Sequence, residues 1–177
     1  MAPKILLEGR PGVGKTTVAR RLAEHLREAG TSLRGFTTEE MREGRRRVGF
    51  AVETFGGERA TLAHVDLPGP PRVSKYGVDL QTFERLALPA LENVAPGDVV
   101  VIDELGKMEL ASEAFCDAVS RLFDADLPIV ATIHVAHDSF TDALKRRADV
   151  ETIRVTTANR GELPEQLALR FDLGGGY

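Results

Sequence analysis

Cysteine is nearly absent from this chain. Cys116 is the single one among 177 residues, so no internal disulfide can form. A reducing, cytoplasmic setting is the expectation. Long apolar runs are missing too. No stretch approaches the roughly 18 residues that suggest a membrane span, and Met1-Ala2-Pro3-Lys4 lacks the apolar region of a secretory leader. No membrane partner is expected. Positive charge is not in excess: 23 Lys and Arg face 27 Asp and Glu, a net charge of −4. That argues against general affinity for nucleic acid. The one basic run, Arg45-Arg46-Arg47, has no interleaved aromatics suited to base stacking and reads most simply as a solvated hairpin tip. His134-x-x-His137 has no further histidine or cysteine grouped with it, so it does not read as a zinc site.

What is present suits one domain over residues 1–172, followed by a flexible tail, Leu173-Gly174-Gly175-Gly176-Tyr177. Val18, Leu22 and Leu26, flanked by Ala19 and Ala23, give one apolar helical face over 15–29, and Gly30 sits where a C-cap glycine belongs. Segments 33–41, 47–55 and 58–65 are rich in β-branched and aromatic residues and are separated by turn signals at Glu43-Gly44 and Gly56-Gly57. They predict an antiparallel β meander inserted over about 32–65. Leu67-Pro68-Gly69-Pro70-Pro71 must be irregular. Helical spacing returns near 80–93, with Pro89 as a break or kink. Val99-Val100-Val101-Ile102 reads as a strand buried on both faces, central in a parallel sheet. A helix near 112–123, a strand 128–133, a helix 139–147, a strand 152–155 and a helix 162–171 follow. Strand and helix alternate at both ends of the chain, which predicts a doubly wound, mostly parallel α/β sheet flanked by helices.

Gly9-Arg10-Pro11-Gly12-Val13-Gly14-Lys15-Thr16, followed by Thr17, fits G-x-x-x-x-G-K-[ST] without mismatch. The apolar run Ile5-Leu6-Leu7 precedes it and a helix follows. Glycines let successive backbone N–H groups turn toward phosphate oxygens, and the helix N-terminus adds partial positive charge. Lys15 is expected to reach the outer phosphates and Thr16 to ligate Mg²⁺.

Asp103 and Glu104 come directly after the apolar strand, at the end where ligands of open α/β sheets bind. Asp103 has the context of a Walker-B aspartate that holds Mg²⁺ beside Thr16. Glu104 is suited to orient water and accept its proton, which a hydrolase needs and a kinase avoids. Lys107, in a loop freed by Gly106, is a candidate to neutralise charge on the transferring phosphate. Thr132 is either a phosphate-sensing hydroxyl or a plain strand residue. Arg146 and Arg147 are both candidates for an arginine finger.

Asp103-Glu104-Leu105-Gly106-Lys107-Met108-Glu109-Leu110 resembles the D-E-[IL]-G-K-M-E-L signature of the THEP-type nucleoside-triphosphatases, called cancer-related nucleoside-triphosphatase in animals. Gly35–Glu40 resembles that family's G-F-x-T-x-E, Arg47–Phe50 its R-x-G-F, Lys75–Val78 its K-Y-x-V, and Thr156, Asn159 and Arg160 its T-x-x-N-R. The likeness is collinear from about residue 4 to 169, with His134 standing where many members are expected to have proline. It implies a P-loop NTPase of the additional-strand class. It also implies Mg²⁺-dependent hydrolysis of nucleoside triphosphates (ATP, GTP, CTP, UTP and TTP) to diphosphate and phosphate, with broad base tolerance. Glu104, Lys15 and Lys107 are then the catalytic set, Thr16 and Asp103 the metal set. Gly9–Thr17 with Asn159 and Arg160 make up the nucleotide-binding set. The expected state is a monomer. A nucleoside or nucleotide kinase, and a nucleotide-gated switch with slow hydrolysis, remain as alternatives.

Overall fold

A computed structural model describes residues 1–172; the tail expected over 173–177 lies outside them. The strands are β1 (Lys4–Gly9), β2 (Leu33–Glu43), β3 (Arg46–Thr54), β4 (Arg59–His64), β5 (Arg72–Val73), β6 (Tyr76–Val78), β7 (Val99–Ile102), β8 (Ile129–His134) and β9 (Glu151–Arg154). The helices are α1 (Lys15–Glu28), α2 (Leu80–Ala90), α3 (Glu113–Asp124), α4 (Ser139–Lys145) and α5 (Leu163–Asp172). All the strands join one sheet in the order β5-β6-β4-β3-β2-β7-β8-β1-β9. From β2 to β9 in that order the neighbours run parallel. Beyond β2 they run antiparallel.

The alternation of each strand explains the layering. On β7, Val100 and Ile102 enter a core with Phe36 from β2 and Phe83, Phe115 and Leu144 from α2, α3 and α4. Val99 and Val101 enter the opposite core with Val18, Leu22, Leu167 and Phe171 from α1 and α5. A strand with no polar side is what burial on two faces requires. Phe36, Phe83 and Phe115 meet at ring-centroid distances of 5.0–5.7 Å, edge-on or tilted. Helix α1 ends in a Schellman motif: Thr31 N donates to Leu26 O at 2.8 Å and Gly30 N to Arg27 O at 2.9 Å.

The expected meander forms, yet it is no separate insertion. Leu33–Phe36 of β2 pair in parallel with Val99–Ile102, while Phe36–Glu43 pair antiparallel with β3. One long strand thus belongs to both parts. Two short strands, β5 and β6, were not foreseen; they pair across the turn Ser74-Lys75 just after the prolines. Pro89 lies in the last turn of α2 and the helix stops there.

Candidate active site

The carboxyl ends of β1, β8 and β7 share one rim. From β1 the chain enters the loop 10–14 and then α1, whose N-cap is Gly14 at φ 111°, a left-handed backbone that favours glycine. Arg10, Pro11, Gly12 and Thr17 are exposed, and Lys15 is buried. The Lys15 ammonium donates to the Ile133 carbonyl at 3.1 Å and lies 3.4 Å from Glu104 Oε2.

Asp103 is 1% exposed. Its Oδ1 accepts from Thr16 Oγ1 at 3.1 Å and from Thr132 Oγ1 at 2.7 Å. Its Oδ2 is buried without a partner. Burial pushes this carboxyl above its ordinary range; the bond from Thr132 opposes that and the charge of Glu104 adds to it. A buried oxygen with an open lone pair, beside a hydroxyl, is the donor set a hard divalent cation takes. Thr16, through its hydroxyl, and Asp103, through its orphaned Oδ2, therefore fit Mg²⁺. Glu104 follows directly, its side chain 35% exposed at the mouth of the site. Lys107 is exposed on the turn beyond it.

Asn159 and Arg160 occupy the loop after β9. Asn159 is spent within that loop: its Oδ1 accepts from Thr156 N at 2.7 Å and its Nδ2 donates to Arg154 O at 2.8 Å. Arg160 reaches over the phosphate loop and donates to Val13 O at 3.2 Å. Arg147 is nowhere near. Its guanidinium is fixed by Asp124 at 2.8 Å and Asp149 at 3.0 Å, beside Lys4 at the start of β1, whereas the phosphate loop follows the end of that strand. It is no arginine finger here. His134 ends β8, and its Nδ1 accepts from Ala136 N at 2.9 Å.

Glu109 has no role assigned from sequence beyond its place in the Asp103–Leu110 block. It is 4% exposed. Burial first, then the charges of Glu104 and Asp103, push its carboxyl well above the usual range. Its signal was its place in the eight-residue Asp103–Leu110 block, which carried more identity than a surface turn needs.

A glycine loop between strand and helix, facing a buried aspartate across an interposed strand β8, is the architecture of a P-loop NTPase. Comparison with known proteins agrees. The profile of a family described as NTPase matches residues 4–168. The nucleoside-triphosphatase THEP1 of Thermotoga maritima is 42% identical, with 97% of this chain and 98% of that one covered. The cancer-related nucleoside-triphosphatase of Homo sapiens is 43% identical over 92% of this chain and 93% of its own. The crystal structure of THEP1 from Aquifex aeolicus superposes with a TM-score of 0.85 at 32% identity, covering 98% and 99% of the two chains. The chain belongs to this NTPase family, and it is a hydrolase.

Proposed function

We propose that the protein hydrolyses nucleoside triphosphates to diphosphate and phosphate in a Mg²⁺-dependent reaction with little preference for the base. The observation that carries this is Glu104. A carboxylate stands at the mouth of the site, next in sequence to buried Asp103 and 3.4 Å from Lys15. The backbone of Gly9–Thr17 cradles the phosphates, and Lys15 moves its ammonium onto the outer ones. Thr16 and Asp103 hold the cation, which when bound neutralises charge on the phosphate oxygens. Glu104 orients a water and takes its proton as the water oxygen attacks the γ-phosphorus. The bond from that phosphorus to the bridging oxygen breaks, and the diphosphate leaves with the electron pair. Lys107 offsets the charge that grows on the transferring group.

Base tolerance follows from the loop after β9. The Asn159 amide is committed to its own loop, so it has little left to read a base edge. Arg160 offers a flat cationic surface that any base can stack on. The test is phosphate release from ATP, GTP, CTP, UTP and TTP with and without Mg²⁺, with Glu104→Gln as control. A Mg²⁺-dependent release from all five, lost in the variant, is expected. Transfer to a nucleoside or nucleotide acceptor that outpaces hydrolysis would refute the proposal.

A further inference from the structure

We infer that Glu109 is a positioning residue for hydrolysis, setting the placement of Glu104 and Lys107 through the turn that joins them. The inference rests on the reading of Glu104 given above. Glu109 is buried at the base of the turn, and its Oε2 lies over the Cα of Gly106. Leu110 N donates to Gly106 O at 2.9 Å and Ser112 N to Glu109 O at 3.1 Å, so the turn closes around that side chain. Ser112 is itself pinned: its hydroxyl donates to Glu84 Oε1 at 2.6 Å and accepts from Phe115 N at the start of α3. The turn is thus anchored at its far end to two helices.

Its near end is Gly106. A Cβ placed there would lie 2.8 Å from Glu104 Oε1 and 3.0 Å from Glu109 Oε2. The two carboxyl groups therefore share the same face of one Cα, and a Cβ there would push both of them aside. Glu104 pairs with Lys15 at 3.4 Å, and its carboxyl end occupies the space that the missing Gly106 side chain leaves open. Lys107, one residue on, takes its direction from the same closed turn. A buried carboxyl costs stability in an apolar setting, and an apolar side chain of like size would serve packing better. Its presence beside the reacting groups is explained if it fixes the backbone that carries them.

The test compares Glu109→Leu and Glu109→Gln in the full chain with ATP and Mg²⁺. In Glu109→Leu, kcat falls by roughly 10–100-fold, as a small misplacement of reacting groups does. KM and the affinity for a fluorescent ATP analogue stay within about twofold. Glu109→Gln keeps kcat within about threefold because the amide retains the shape and a polar contact to the backbone. In a Glu104→Gln background Glu109→Leu lowers kcat by clearly less than it does alone, since the part of its effect that passes through Glu104 is already lost. An unchanged kcat in Glu109→Leu, or a loss that adds fully on the Glu104→Gln background, would overturn the inference. If Glu109→Leu does not fold, Glu109→Asp serves, since it draws the carboxyl back by one methylene: it keeps nucleotide affinity and loses kcat, and an unchanged kcat overturns the inference. Undiminished turnover in Glu104→Gln alone would instead sink the underlying reading of the site.

Discussion

The two ends of the parallel strands are built on opposite electrostatic plans. At the amino end, Lys4 is buried and donates to Phe123 O at 2.7 Å and to Asp149 at 2.9 Å, while Arg147 ties Asp149 to Asp124. Each of those charges meets its opposite. At the carboxyl end, Asp103, Glu104 and Glu109 raise one another's charge burden, only Glu104 pairs with the buried ammonium of Lys15, and one Asp103 oxygen has no partner. A finished network stabilises the fold. An unfinished one holds its groups ready for a charged ligand, and its cost to the fold is a mark of function.

The contrast extends to pH with opposite signs. Arg147 and then Lys4 hold the Asp149 carboxyl well below its ordinary value. That pairing contributes stability above the ordinary carboxylate range and loses it as pH falls through the lowered value. Asp103 and Glu109 are shifted upward. They favour the folded state at low pH, and the contribution is lost as pH rises from their ordinary range through the raised values.

The sharpest way to break the comparison is at Glu104. Glu104→Gln should lower kcat by roughly 10²–10⁴ while Tm and nucleotide binding hold; full turnover in a phosphate-release assay would end its assignment as the base. Lys4→Met is the counterpart at the amino end. It should lower Tm by several degrees and leave kcat per folded molecule unchanged, so a kinetic defect at permissive temperature would contradict a purely structural role. Glu109→Gln tests the sign of the titration. Its Tm relative to the parent should rise as pH increases above the ordinary carboxylate range, because only the parent then has a buried carboxyl to ionise; a difference that is flat with pH would show that the carboxyl is not shifted upward. Arg45→Ala and Arg46→Ala, at the exposed hairpin tip, belong to neither end. Thermal unfolding should place them within about 0.5 kcal/mol of the parent, and a larger change would reveal a contact at that tip.

Much of this was readable from the chain because the phosphate loop and Asp103-Glu104 are local patterns. Their chemistry needs particular residues at fixed spacing, next to strands whose apolar runs announce themselves. What failed to show was long-range. That β2 belongs to both the parallel and the antiparallel part is decided by Val99–Ile102 lying beside it, some 60 positions on. Strands β5 and β6 are too short to carry a period, and they exist because β4 offers β6 an edge. Arg147 finds Asp124 at a separation of 23 residues, and nothing near Arg147 in sequence says so. Glu109 looks like any surface acid until the turn folds over it. Asn159 stands in a loop motif that suggests a nucleotide contact, whereas its amide serves the loop's own backbone.

The two borders of the sheet have a consequence for how molecules of this protein meet. One border is β5, only two residues long, preceded by Pro70 and Pro71 and carrying Arg72. The other is β9, where Glu151, Thr152 and Arg154 are exposed and Arg170 of α5 pairs with Glu151 at 2.6 Å. Short length, proline and charge each discourage a foreign strand from docking along a border. A nine-stranded sheet could template strand pairing from either side; here both borders discourage it, so two molecules are not expected to join edge to edge.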